Sequence, residues 1–261
     1  MTGSRDTATA RPGESVGIVD AFDGGFGWQA HPEESLQRTS HALATDDGVW
    51  LLDPVDAPGL DAELAARSPG SDGNVAVAGV AVCAGWHARD ATAVAARHDV
   101  PVTVPSWMDR PLAHLDATAD GNATANGDAS ADADVAVQRV DDHLPGTDVA
   151  LHRVSPMGAW TEAVCWREHD RTLYVPESLG TADAFVAGHE RLGVIFYARL
   201  FPPRDALSGF DPERVLVGHG SGVFDDAAAA LAAALDGSRT RFPRALLENG
   251  PRAVRNLVVA A

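Results

Sequence analysis

VAVAGVAVCAGWHARDATAVAARHDVPVTV, residues 75–104, alternates apolar runs with a helical segment and so points to an α/β class. Val75 to Cys83 is a nearly unbroken Val/Ala run, the pattern of a strand covered on both faces. Asp90 to His98 follows as an Ala-rich helix that opens on an acidic residue, a type that helix starts favour. Val100 to Val104 is a further apolar strand. Strand, turn, helix and strand in this order make a βαβ-like unit.

Outward from it, Val16 to Ala21 and Gln37 to Ala44 read as short strands. Thr45-Asp46-Asp47-Gly48 reads as a hairpin turn into Val49 to Leu52, because Asp and Gly accept the positive φ of a tight turn. Leu60 to Arg67 has helical spacing and stops at Pro69-Gly70. Downstream, Ala117 to Asp134 holds Ala, Asp, Gly, Asn and Thr without apolar periodicity, which predicts a flexible insertion at 117–134. Val149 to Val154, Ala163 to Trp166 and Thr172 to Val175 read as three strands, and Thr181 to Leu207 as a mixed, partly helical stretch. Val215 to Val217 is a short strand running into Gly218-His219-Gly220-Ser221-Gly222. Asp225 to Leu235 is an Ala-rich helix with its acids at the positive end, and Arg252 to Val259 is a last element. Two β-rich halves, each with helices, point to two packed sheets with helices outside.

Composition bounds the setting. The 261 residues carry 37 acidic and 20 basic side chains, a formal net charge of −17, and every basic residue is Arg. Such a surface repels nucleic-acid phosphates and anionic membranes, so neither is an expected partner. No apolar run approaches the roughly 18 residues of a transmembrane helix. Met1 to Glu14 is polar, without the apolar core of a secretory signal, and reads as a disordered leader, so the chain is expected in the cytoplasm with one domain over residues 15–261. The acids are spread along the chain, and salt screens their repulsion, with a Debye length of about 3 Å at 1 M. The composition resembles that of proteins from cells that accumulate salt. Cys83 and Cys165, distant in sequence, are expected to be buried free thiols.

Five pieces, in order, resemble the metallo-β-lactamase superfamily. Gly48-Val49-Trp50-Leu51-Leu52-Asp53-Pro54 resembles its early hairpin, and Val80 to Cys83 with Trp86-His87-Ala88-Arg89-Asp90 resembles the strand and loop that deliver metal ligands. Ser155-Pro156-Met157-Gly158 resembles the loop before the second sheet. Leu173-Tyr174-Val175-Pro176-Glu177 and Leu216-Val217-Gly218-His219-Gly220 resemble the later ligand-bearing strand ends. The resemblance spans about residues 16 to 236 and implies an α/β fold: a four-layered αβ/βα sandwich of two mixed sheets with helices outside. It also implies a His-x-His-x-Asp-His loop, two more His and a bridging carboxylate around one or two Zn²⁺ or similar ions.

The chain departs from that motif. With Asp90 aligned, Trp86, Ala88 and Ala91 stand where three His belong; with His87 first, Arg89 and Ala91 do. Met157 or Gly158 replaces the later His, and Glu177 is the nearest match to the bridging carboxylate. His219 matches directly. If a metal site is retained, its candidate ligands are His87, Asp90, Glu177 and His219, with Asp53 supporting the loop from behind by hydrogen bonding. Asp90 also reads as a helix-start carboxylate and His87 as a loop histidine. Trp86 and Arg89 are candidate pocket residues, Arg89 through its planar fork of donors. No catalytic residue is assigned. Three readings stay open: a non-catalytic member that binds a small molecule or protein and holds no cofactor, a vestigial interaction subunit, and a hydrolase of esters or thioesters with a single zinc or other divalent ion.

Overall fold

The computed structural model describes residues 16–67, 76–119, 135–158 and 160–259. The proposed leader, residues 1–14, lies outside them, as does all but the start of the proposed insertion. The described start of that segment, residues 117–119, closes a helix that runs to Ala119.

Strands β1 (Gly17–Phe22), β2 (Gly25–Gln29), β3 (Ser40–Thr45) and β4 (Gly48–Leu52) form an antiparallel meander. The Asp47-Gly48 turn joins β3 to β4 as read, with Gly48 at φ +133° and Thr45 Oγ1 donating to its carbonyl. A side chain at Gly48 would meet Ala76 O at 2.4 Å, so this glycine also admits the neighbouring chain. Helix α1 (Leu60–Arg67) buries Leu60 and Leu64 and leads to β5 (Val77–Ala81), parallel to β4. Helix α2 (Ala91–His98) and strand β6 (Val102–Pro105) complete the βαβ unit. Helix α3 (Arg110–Ala119) and strand β7 (Val137–Val140) extend the first sheet to seven strands in the order β1 to β7.

The second half repeats the plan. Strands β8 (Val149–Val154), β9 (Glu162–Arg167) and β10 (Thr172–Val175) pair antiparallel, and β13 (Arg214–Val217) joins β10 in parallel. Between them lie the short pair β11 (Leu179–Gly180) and β12 (Gly193–Val194) and the one-turn helix α4 (Arg204–Leu207). Alternation sorts the second sheet's side chains. Ala163, Cys165, Tyr174 and Leu216 pack with residues of the first sheet, whereas Val164, Leu173, Val175, Val215 and Val217 pack with helix α5 (Ala227–Val259). The result is two mixed sheets face to face with helices outside, the four-layered αβ/βα sandwich.

Two sequence expectations change. Helix α5 does not stop at Leu235 and resume at Arg252 but runs on through Gly237 and Gly250. Tertiary contacts hold it: Ser238 Oγ donates to Arg199 O, and Asn249 Nδ2 to Val186 O. Strand β2, absent from the sequence reading, carries Trp28, which is fully buried with Nε1 donating to Val55 O at 2.9 Å. Cys83 and Cys165 are buried free thiols whose sulfurs lie 3.6 Å apart, one from each half. Among the described residues no helix is long and apolar enough to cross a membrane.

Candidate metal centre

Parallel strands place their carboxyl ends on one edge, and four of those ends meet here. Asp53 follows β4, His87 lies beyond β5, Glu177 follows β10 and His219 follows β13. Asp53 takes φ +48°, a left-handed turn that Asp tolerates better than most residues. Its fully buried carboxylate accepts Cys83 N at 2.7 Å through Oδ1. Through Oδ2 it accepts His87 Nδ1 at 2.9 Å and the Tyr174 hydroxyl at 2.7 Å.

His87 Nε2 then faces Glu177 Oε1 at 2.8 Å, and His219 Nε2 faces the same oxygen at 3.5 Å. His219 Nδ1 donates to Leu36 O at 2.9 Å, and the Phe185 ring stacks on its imidazole. Each imidazole thus has an acceptor at Nδ1, which places the neutral ring's proton there and leaves the Nε2 lone pair toward the carboxylate. Both Nε2 atoms are buried without a well-formed hydrogen bond. His87, Glu177 and His219 offer ligand atoms within 4.8 Å of one another, a group that could hold a metal ion.

Glu177 is held from its own backbone. The Glu162 carboxylate, fully buried on β9, accepts Glu177 N at 2.7 Å and Ser178 N at 3.0 Å, and also the Ser178 hydroxyl. Gly218 makes room for this turn, because a Cβ there would lie 2.2 Å from Pro176 O. The charges follow from burial and pairing. Burial would raise the Glu177 carboxyl, but His219 and His87 hold it well below the usual carboxylate range. Burial and Arg38 push His87 down, yet Asp53 and Glu177 leave it above the ordinary imidazole value.

The other candidates lie elsewhere. Asp90 is not part of the group: its Oδ2 accepts Asp56 N at 3.1 Å and sits 3.5 Å from Arg89 Nε. That pairing turns it toward the β4–α1 loop. Arg89 is also 3.6 Å from Glu34, and Trp86 is 43 % exposed with the Arg110 guanidinium 4.2 Å above its ring. Ala88 and Ala91 are buried and offer no lone pair to the site. The supporting roles of Leu36, Glu162 and Tyr174 carry no local signal, because each acts across a long sequence separation. Tyr174, for example, reaches Asp53 over 121 residues.

No family model matches the sequence, and no curated protein matches it. Solved structures do. A metallo-β-lactamase from Pontibacter korlensis superposes with a TM-score of 0.58 at 11 % identity, covering 86 % of this chain and 99 % of its own. The metallo-β-lactamase from Hirschia baltica gives 0.52 at 12 % identity, covering 86 % and 98 %. FIM-1 from Pseudomonas aeruginosa, in its mono-zinc form, gives 0.50 at 8 % identity, covering 88 % and 99 %. The chain has the metallo-β-lactamase fold. Within that metallo-β-lactamase fold the donor set is two imidazole nitrogens and one carboxylate. Three protein ligands of this kind suit zinc with an open position, or another divalent ion that accepts two His and a carboxylate.

Proposed function

We propose that the protein is a single-metal hydrolase of esters or thioesters, with His87, Glu177 and His219 as the metal ligands. One observation carries this reading: both Nε2 atoms converge on the Glu177 carboxylate while both Nδ1 atoms are engaged behind. Held by these three residues, a divalent ion would supply Lewis-acid polarisation and would lower the pKa of water to about 7. The chain's own residues do the rest. Asp53 and the Leu36 carbonyl aim the two rings, Glu162 holds the backbone that presents Glu177, and Phe185 shields one face of His219 from water. The lysine-free, acid-rich composition supports a salt-rich cytoplasm as the setting and a small molecule, not nucleic acid or membrane, as the partner.

A second reading, a non-catalytic binding protein without metal, draws on the same 2.8 Å contact. A charged His87 between Asp53 and Glu177 closes the site on itself as a buried ion-paired lock. Nitrogen NMR of the imidazoles separates the two. In the hydrolase, added zinc shifts the Nε2 resonances of His87 and His219 and switches on cleavage of 4-nitrophenyl acetate or a thioester analogue. Resonances unmoved by zinc, with His87 doubly protonated near pH 7, would establish the lock.

A further inference from the structure

Arg38 stands beside this site, within the fields of Asp53 and Glu177 but in ion-pair contact with neither. Its backbone bridges to His219, and Thr39 N donates to Gly218 O at 2.9 Å, so the segment is strapped to the end of β13. Its Nη2 donates to His87 O at 2.6 Å and more weakly to Asp53 O at 3.4 Å, which uses both hydrogens of that nitrogen. Its Nε is buried without a partner. Among the described residues, no carboxylate oxygen lies within 4.0 Å of the guanidinium, and Nη1 has no hydrogen-bond partner.

The fully buried arginines of this chain are treated differently. Arg167 meets Asp170 at 2.6 Å, and Arg199 meets Glu190 at 2.5 Å. A protein with 37 acids has no shortage of partners to offer. The acids whose fields reach Arg38 are already engaged: Asp53 by Cys83, His87 and Tyr174, and Glu177 by the two histidines. Burial pulls the Arg38 pKa down, and the neighbouring Arg89 charge adds to that. Even so, a guanidinium remains charged, and a partly buried charge without a contacting counter-ion gains from one. The complement is an anionic group brought by the ligand.

We propose that Arg38 binds a carboxylate of the substrate, so that the protein acts on esters or thioesters carrying a free carboxyl group. This rests on the hydrolase reading for the reaction and on Arg38 alone for the anion. The planar Nη1 end matches one carboxylate, whereas a phosphate dianion gathers more donors than one nitrogen and the rim residue Arg89 provide. Arg38 is a binding residue here, and its contact with the His87 carbonyl sets the distance between the anion and the candidate metal.

The test is calorimetric binding of succinate and of inorganic phosphate to the full chain in molar KCl, in zinc-free and zinc-loaded protein. It compares wild type with Arg38→Gln, Arg38→Lys and Arg89→Gln, with melting temperature and zinc content recorded for each. A contact between a charged donor and a carboxylate predicts succinate binding about tenfold or more weaker in Arg38→Gln and largely restored in Arg38→Lys. Arg89→Gln should change it little, and phosphate should bind more weakly than succinate. In turnover, Arg38→Gln should raise KM for 4-nitrophenyl hemisuccinate by a larger factor than KM for 4-nitrophenyl acetate, and an equal rise for both would count against the anion contact. Equal succinate affinity in wild type and Arg38→Gln overturns the proposal, as does phosphate binding as tightly as succinate. Succinate binding that depends on Arg38 in a protein that takes up no zinc defeats the hydrolase reading and leaves the anion site standing. Zinc uptake with Arg38-independent succinate binding does the reverse.

Discussion

At the scale of single residues, the site is governed by buried polar groups and the partners they meet or lack. Glu162 is the clearest case. Burial raises its carboxyl to about 7 against the pull of Ser178 and the backbone of Glu177 and Ser178. Because the folded-state pKa is the higher one, the folded chain binds this proton more tightly than the unfolded chain. That contribution is complete below the ordinary carboxyl range and is lost as pH rises through about 7. Wild type should therefore lose on the order of 2–3 kcal/mol from this group between pH 4.5 and 7.5. Glu162→Gln should lack that loss, which urea unfolding across the range would measure; parallel pH profiles would refute it. Tyr174 acts on a smaller scale. Tyr174→Phe removes one of the Asp53 carboxylate's three donors and should cost about 1–2 kcal/mol, seen as a lower urea midpoint with an unchanged slope.

At the scale of elements, the site depends on strand ends approaching without side chains in the way. Gly218 lies between the ends of β10 and β13, where a Cβ would sit 2.2 Å from Pro176 O. Gly218→Ala should cost roughly 1–3 kcal/mol and weaken zinc binding, while Gly209→Ala, where nothing lies within 4 Å of a Cβ, should do neither. Thermal unfolding with a zinc titration of both variants checks this. Elements bounded by strong local signals were legible in the sequence: α1, β8 and β10 run over the residues that their apolar spacing and turns mark. Strand β2 was not, because its glycines dilute the apolar alternation and Trp28 gains its place only by packing across the sheet. The extent of α5 was hidden for a related reason. Gly237 reads as a stop, yet its missing Cβ makes room for the Arg241 guanidinium, which would otherwise lie 1.9 Å away. In the site, His87, Glu177, His219 and Asp53 were singled out by the resemblance of their segments to the ligand-bearing segments of metallo-β-lactamases. Asp90 could not be told from a ligand, since only the folded loop shows its carboxylate bound to Asp56 N. Arg38 left no mark, because an unpaired charge is a property of the surroundings and not of the chain.

At the scale of the whole molecule, two terms set the conditions for function. The first is a net charge of −17, whose self-repulsion shrinks as the Debye length falls from about 10 Å at 0.1 M to about 3 Å at 1 M salt. The melting temperature should rise steadily with KCl over that range, and a flat or falling dependence would contradict a salt-adapted chain. The second term is the proposed metal. Two β-rich halves at 8–12 % identity to solved metallo-β-lactamases keep the sandwich and bring two histidines and one carboxylate to its edge. Elemental analysis of the full chain, purified in molar KCl without chelator and then dialysed against zinc, tests the central claim most directly. The prediction is about one zinc per chain, lost together in His87→Ala, Glu177→Ala and His219→Ala, each still folded by circular dichroism. A folded wild-type protein that retains no zinc, iron or manganese, and whose melting temperature is unmoved by adding them, would contradict it.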